Sequence, residues 1–451
     1  MNSQTITRAS IESDQPLPKT QTGSGHAVHL LLALIVAYTF SFLDRQILSL
    51  LVEPIKRDLA ISDTAVSLLQ GFAFALLLAL GGIPVGRYVD SGHRLRLVSA
   101  GIALWSLMTA GCALARSYPA LLLCRMGVGL GEATLTPAAY SLIGDAFRPR
   151  RLGLALGLYS MGVYIGGGLA LLLGALVIAQ VKDRDFVLPL LGRLHGWQMV
   201  FLAVGVPGLL VSAWIASLRE PARRGAGARV RPPLAEVLRY FRQHARSLVC
   251  LYLAMSFAAM MNYSTNAWVP SMLIRSYGWT AVQAGRSYGL VVLIFGVLGV
   301  IAGGLGGDAL VARGYKAGRL TLMGCAALAA APFIAMAPLM STPQAALALL
   351  APATLFVTMV IGCGPATLQE LMPNRMRGTA SALGVLVVNL IGLGLGPTCI
   401  ALIGDYLLHD PRRIGQALAI AAPPMLLLSA ALSFGGRRAY AAGRDRLLAA
   451  G

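Results

Sequence analysis

Long apolar runs alternate with short polar stretches along the whole chain. Runs poor in charge fall at residues 28–51, 64–86, 95–115, 118–143, 152–180, 197–218, 247–273, 282–305, 319–338, 345–370, 378–404 and 413–435. A helix rising 1.5 Å per residue crosses a hydrocarbon core of about 30 Å in roughly 20 residues, so each run is long enough to span a bilayer. The pattern predicts an all-α membrane protein of twelve transmembrane helices, spans 1 to 12.

The runs fall into two related sets. A shift of 218 residues superimposes Ser62 on Thr280, Gly71 on Gly289, Gly86 on Gly304 and Asp90 on Asp308. Ser62 and Thr280 stand where N-caps of spans 2 and 8 belong, and the glycines allow close helix approach. Duplication accounts for all four, and repeats in a polytopic protein point to two halves that rock about a midplane site. The predicted organisation is a cytoplasmic tail (1–26), a six-helix half (27–218), a basic cytoplasmic linker (219–245), a second six-helix half (246–436) and a cytoplasmic tail (437–451).

Composition supports a lipid solvent. Hydrophobic residues make up 57% of the chain and charged residues 12%, against about a quarter charged in soluble domains. The net charge of +19 does not indicate nucleic acid, because the basic residues lie in short stretches between apolar runs without interleaved aromatics. With both termini cytoplasmic, most of the 37 Lys and Arg fall on the cytoplasmic side, as the positive-inside rule requires. This places the protein in a plasma membrane, the inner membrane of a bacterium. The linker block Arg219, Arg223, Arg224, Arg229, Arg231, Arg239, Arg242 and Arg246 reads as a topology anchor on anionic lipid. The six cysteines lie inside apolar runs without zinc spacing, so neither disulfide nor metal is expected. No nucleophile, acid–base pair or Cys–His set is clustered within the spans, which argues against an enzyme. The expected working unit is a monomer among membrane lipids, without a cofactor.

At the end of span 2 the chain reads Gly86-Arg87-Tyr88-Val89-Asp90-Ser91-Gly92-His93-Arg94, and its counterpart is Gly304-Leu305-Gly306-Gly307-Asp308 before Arg313. These resemble the loop signature of the major facilitator superfamily. Arg125 with Gly129 in span 4, Gly162 with Gly166-Gly167-Gly168 in span 5 and Gly196-Trp197-Gln198 before span 6 agree with it. Phe42-Leu43-Asp44-Arg45-Gln46 and Gly129-Leu130-Gly131-Glu132-Ala133 are similar to the Spinster branch. The resemblance implies alternating access, proton coupling and translocation of amphiphiles such as sphingosine-1-phosphate or lysophospholipids. It also implies a cytoplasmic gate built from Asp90, Asp308, Arg150 and Arg151, which a solvated loop would equally contain.

An ionisable residue at mid-membrane costs about 2.5–3.5 kcal/mol on insertion scales, so Asp44, Arg45, Arg125 and Glu132 require partners. Asp44 precedes the end of span 1 by seven residues and Arg125 follows the start of span 4 by seven, which places them at one depth. Arg125 and Glu132 share a face, separated by a rise of roughly 10 Å. On one reading Arg125 grips an anionic headgroup through its planar fork and Asp44 carries the coupling proton, with Glu132 as second proton and substrate residue. On the other, Asp44 and Arg125 form a fixed ion pair and Glu132 bonds a neighbour. Arg45, turned about 100° from Asp44, is expected to be a structural partner. Gly127, Gly129 and Gly131 leave room for a ligand or for a close helix.

The second half answers with neutral residues. The shift carries Asp44 to Asn262, with Asn266 one turn on and Asn389 in span 11. Either these asparagines line a cavity in which an apolar tail lies opposite the headgroup, or they tie helices together. Tyr38, Phe40, Phe74, Tyr159 and Tyr164 likewise line the cavity or pack. A proton-driven drug or organic-anion exchanger would use the same buried charges.

Overall fold

The structure is a computed structural model and describes residues 24–147, 149–181, 185–188, 192–223, 234–373 and 376–449. The predicted tail up to residue 23 and the linker stretch 224–233, with Arg224, Arg229 and Arg231, lie outside the described residues.

Among the described residues eleven helices are long and apolar enough to cross a membrane: Gly25–Leu50, Asp63–Val89, Arg94–Cys112, Leu154–Val181, Gly196–Ser217, Ala245–Tyr277, Ala281–Ala312, Gly318–Leu339, Pro343–Glu370, Thr379–Leu407 and Pro411–Leu447. They correspond to eleven of the twelve predicted spans. The exception is span 4, which forms two helices, Tyr118–Glu132 and Leu135–Ala146, parted by a turn at Ala133 and Thr134. Glycines at 127, 129 and 131 weaken the end of the first piece. The Thr134 hydroxyl donates to the Gly131 carbonyl at 2.9 Å, a local bond that competes with the helical ladder.

Ser62 and Thr280 cap spans 2 and 8. Their hydroxyls accept from the amides of Ala65 at 3.1 Å and Gln283 at 3.2 Å, satisfying first-turn donors as an N-cap should. The last helix continues to Ala449, so the described part of the stretch expected as a tail from 437 is helical. Ala, Leu and Arg dominate that stretch and favour helix.

The same neighbours recur in both halves. Span 3 packs against spans 4 and 6, span 2 against 4, and span 1 against 5 and 6; span 9 packs against 10 and 12, span 8 against 10, and span 7 against 11 and 12. Between the halves, span 2 meets span 11 and span 5 meets span 8.

Hydrogen bonds across this junction gather at the end opposite the termini. There Arg275 of span 7 reaches Asp63 and Glu53, Thr64 bonds Asp405, and Ser67 bonds Thr398. Deeper in, Gln46 donates to the Asn266 carbonyl at 2.5 Å. At the end bearing the termini, ion pairs between described residues stay within one half. Arg94 holds Asp145 and Glu220 in the first, while Arg319 holds Asp308 and Glu370 and Lys316 holds Asp445 in the second. Span 5 touches span 8 through Gly168 against Leu293 and Leu171 against Gly285. The halves are thus clasped by ion pairs and hydrogen bonds at the end opposite the termini.

Candidate functional site: the buried charges of spans 1 and 4

Asp44 and Arg45 end the regular part of span 1, Ser24–Gln46, before a tighter turn at Ile47–Leu50. Arg45 crosses to span 4, where its Nε donates to Glu132 Oε2 at 2.7 Å and its Nη2 to the same oxygen. Ser41, one turn before Arg45, adds a hydroxyl bond to that oxygen at 2.5 Å. The guanidinium lies between the rings of Phe42 and Phe74, at 4.7 and 4.6 Å from their centroids, where cation–π attraction supplements the ion pair. The Glu132 side chain is wholly buried, whereas Arg45 keeps 15% of its surface exposed.

Arg125 is enclosed. No part of it is exposed; its Nη1 donates to the backbone carbonyl of Asp44 at 3.2 Å and its Nε to that of Leu69 at 3.4 Å. Leu69 belongs to a widened turn, Leu68–Phe72, in span 2, a local irregularity of the kind often found at functional sites. Arg125 therefore ties spans 1, 2 and 4 together. Among the described residues Asp44 and Arg125 form no side-chain ion pair, which removes the fixed pair that was one of the two sequence-level arrangements.

Several buried polar atoms here find no hydrogen-bond partner: Asp44 Oδ1, Glu132 Oε1, Arg125 Nη2 and both amide atoms of Gln70. Buried groups left unsatisfied are uncommon and costly. Their concentration at one level of spans 1, 2 and 4 marks a place where a proton, a water or a ligand would be stabilised. The carboxyl of Asp44 interacts electrostatically with Glu132, Arg125 and Arg45.

The glycines of span 4 serve close packing. A Cβ at Gly129 would meet the Phe74 carbonyl at 2.5 Å, and one at Gly131 the Gly101 carbonyl at 2.7 Å. Tyr159 and Phe74 are fully buried, and Tyr38 stacks on Tyr159 at 4.6 Å. Packing thus accounts for most of the aromatics, while Tyr164 alone of those five lines the small central cavity described next.

In the second half Asn266 and Asn389 tie helices together, and Asn262 and Asn266 line that cavity. Asn266 donates to Asn262 at 3.3 Å and accepts from the Tyr288 hydroxyl at 3.3 Å, and Asn389 accepts from the Tyr263 hydroxyl at 3.4 Å. Asn262 and Asn266, with Tyr164, Thr265, Tyr288 and Thr358, surround a cavity of about 10 Å³, room for one water. Arg125 and Asp44 do not line it. Of the expected gate residues, Asp308 pairs with Arg319 inside its own half and Arg151 is exposed; the side chains of Asp90 and Arg150 lie outside the described residues.

The profile of the Major Facilitator Superfamily matches residues 34–397. The chain belongs to this superfamily. Among superfamily relatives, an MFS-type efflux pump of Mycolicibacterium smegmatis is 27% identical over 399 residues, covering 87% of this chain and 88% of that one. Protein spinster homolog 1 of Mus musculus is 27% identical over 425 residues, covering 86% and 75%. A solved bacterial homolog of the human lysosomal transporter Spinster, inward-facing and unoccupied, aligns with a TM-score of 0.74 at 26% identity over 95% of this chain and 98% of that one. The protein is a membrane transporter of the superfamily and not an enzyme.

Several contributors to this superfamily site escape sequence reading. Ser41 sits at the i−4 position from Arg45, a spacing that shares a face. Tyr263 is the residue onto which the 218-residue shift carries Arg45. Gln70 and Arg275 carry no signal beyond being polar near apolar runs.

Proposed function

We propose that this transporter is proton-coupled and moves an amphiphilic anionic or zwitterionic lipid-like substrate, a lysolipid or sphingoid phosphate, by alternating access. The Arg45–Glu132 pair carries the reading: a partly accessible cation whose counter-ion is a buried carboxylate. An anionic headgroup and a proton compete for this pair in complementary ways. The headgroup takes the fork of Arg45, and the proton neutralises the Glu132 thereby released, with Asp44 as the neighbouring acceptor. Arg125, the headgroup anchor expected from sequence, becomes a positioning residue, and Arg45 takes its place. The neutral surface of Asn262, Asn266 and Asn389 would lie along the less polar part of the substrate once the cavity opens. Asp90, Asp308, Arg150 and Arg151 would close the terminal end in the opposite state. The protein works as a monomer in a plasma membrane with both termini cytoplasmic, surrounded by membrane lipids and without a cofactor, protons serving as the coupling ion.

The test is uptake of radiolabelled lysophosphatidate into proteoliposomes with and without an imposed pH gradient. Gradient-dependent uptake that Glu132→Gln and Arg45→Ala abolish supports the reading; uptake indifferent to the gradient removes proton coupling. A second reading, a drug or organic-anion exchanger, is favoured by the similarity to the mycobacterial efflux pump. It wins if cationic dyes or aromatic acids, and not lysolipids, are carried.

A further inference from the structure

Arg45 and Tyr263 are equivalent positions of the two halves, related by the same 218 residues that relate Asp44 to Asn262. Duplication has therefore left a cation at one position of span 1 and a phenol at its mate in span 7. Tyr263 belongs to the second half by sequence but packs against the hydrophobic cluster of the first. Its hydroxyl donates to Asn389 Oδ1 of span 11 at 3.4 Å. It interacts electrostatically with both Arg45 and Glu132. The other titratable groups facing it are Tyr38 of span 1 and Tyr164 of span 5, both phenols that stay neutral across ordinary pH.

We propose that Tyr263 is the positioning residue that reports the state of the Arg45–Glu132 pair to the second half, through Asn389 to span 11. The inference rests on the reading of that pair as the working site. A phenol hydroxyl donates one hydrogen bond and accepts others. While Glu132 is ionised it holds Arg45, and Tyr263 donates to Asn389 alone. When Glu132 is protonated, the guanidinium regains free donors, and Tyr263, the second-half phenol with which it already interacts electrostatically, offers it an oxygen. A bond from Arg45 to that oxygen polarises the hydroxyl and strengthens its bond to Asn389, since chained hydrogen bonds reinforce one another. Asn389 opens the widened turn Asn389–Leu393 of span 11, and Leu393 is the residue whose carbonyl abuts Gly71 of span 2. The chain Glu132, Arg45, Tyr263, Asn389 thus runs from the buried carboxylate to the contact between spans 2 and 11. Only Glu132, flanked by Arg45, Asp44 and the Ser41 hydroxyl, needs to change protonation.

The experiment measures inter-half distances by spin-label pairs at the terminal ends of spans 2 and 11 in liposome-reconstituted protein, across pH 5 to 8 and without substrate. The expected result is a pH-driven exchange of states in the wild type that Glu132→Gln abolishes. Tyr263→Phe, which keeps the ring and removes the hydroxyl, should shrink the pH-driven change in the equilibrium constant at least tenfold with an unaltered melting temperature. Asn389→Leu should do the same, and the double variant no worse. A full wild-type pH response in Tyr263→Phe or in Asn389→Leu overturns the relay. If the wild type shows no response, or Glu132→Gln retains it, the reading of the pair falls and the relay with it. A flat Glu132→Gln beside a normal Tyr263→Phe removes the relay alone.

Discussion

Arg275, near the end of span 7, forms a two-pronged ion pair with Asp63 at the head of span 2, its Nη1 and Nη2 reaching the two carboxylate oxygens at 2.6 and 2.8 Å. Glu53 accepts from Arg275 Nε at 2.6 Å, and Lys56 reaches Asp63 at 2.6 Å. Asp63 is fully buried and Arg275 keeps only 6% of its side chain exposed, so this bond between the halves is largely shielded from water and salt.

Removing one partner of such a buried pair is destabilising, here less than fully because Lys56 still reaches Asp63. Arg275→Ala is expected to unclasp this end and to move the population toward the state open there. Spin labels at the heads of spans 2 and 8 should show a longer distance; an unchanged distribution would exclude Arg275 from the clasp. Arg275→Lys should give an intermediate shift, because an ammonium lacks the planar fork.

The two arginines of the site should separate by assay. Arg125→Ala strands the carbonyls of Asp44 and Leu69, and unsatisfied buried acceptors cost about 1–3 kcal/mol each. It is expected to lower the melting temperature by several degrees. Arg45→Lys, which keeps a counter-ion for the buried Glu132 but loses the planar fork, should melt closer to wild type than Arg125→Ala yet transport at least tenfold more slowly. Thermal melts and liposome uptake on the same preparations decide this, and the reverse ordering would return the anchor role to Arg125.

Gly71 lies against the Leu393 carbonyl so closely that a Cβ would stand 2.4 Å from it. Gly71→Ala must push spans 2 and 11 apart, and overpacking of this kind costs roughly 1–3 kcal/mol. A lowered melting temperature and weakened closure in the label-distance assay are expected. Gly82→Ala, where a Cβ would meet nothing within 4 Å, is the matched control.

The hairpin pairing Phe186–Leu188 with Gly192–Leu194 gives a pH prediction. Arg193 and His195 beside Asp185 hold its carboxyl below the usual carboxylate range. A carboxyl depressed in the folded state stabilises above its unfolded pKa, near 4, and loses that contribution as pH falls through the folded value. Hydrogen exchange of the hairpin amides should therefore accelerate below about pH 4, and Asp185→Asn should show no such acid step.

The spans, their caps and the duplication were legible because each leaves a periodic or positional trace: a run of about 20 apolar residues, Ser62 and Thr280 before their helices, one shift for four residues. The partner of Glu132 was not. Helical spacing tells which residues of span 4 share a face but not which residue of span 1 they meet. Asp44 and Arg45 differ by one position and so point about 100° apart, and only the packing of span 1 on spans 2 and 4 selects Arg45. The Asp44 backbone carbonyl, which receives Arg125, leaves no trace in sequence at all. Span 4 hid its break because an apolar run of the right length reads as one helix even where three glycines and Thr134 divide it.

The clasp at the heads of spans 2 and 7 also bears on leakage. Shut by buried ion pairs, this end offers ions no continuous path while the clasp holds. Opening this end requires Arg275 to part from Asp63, which makes that conformational step the natural place for this protein to be slow.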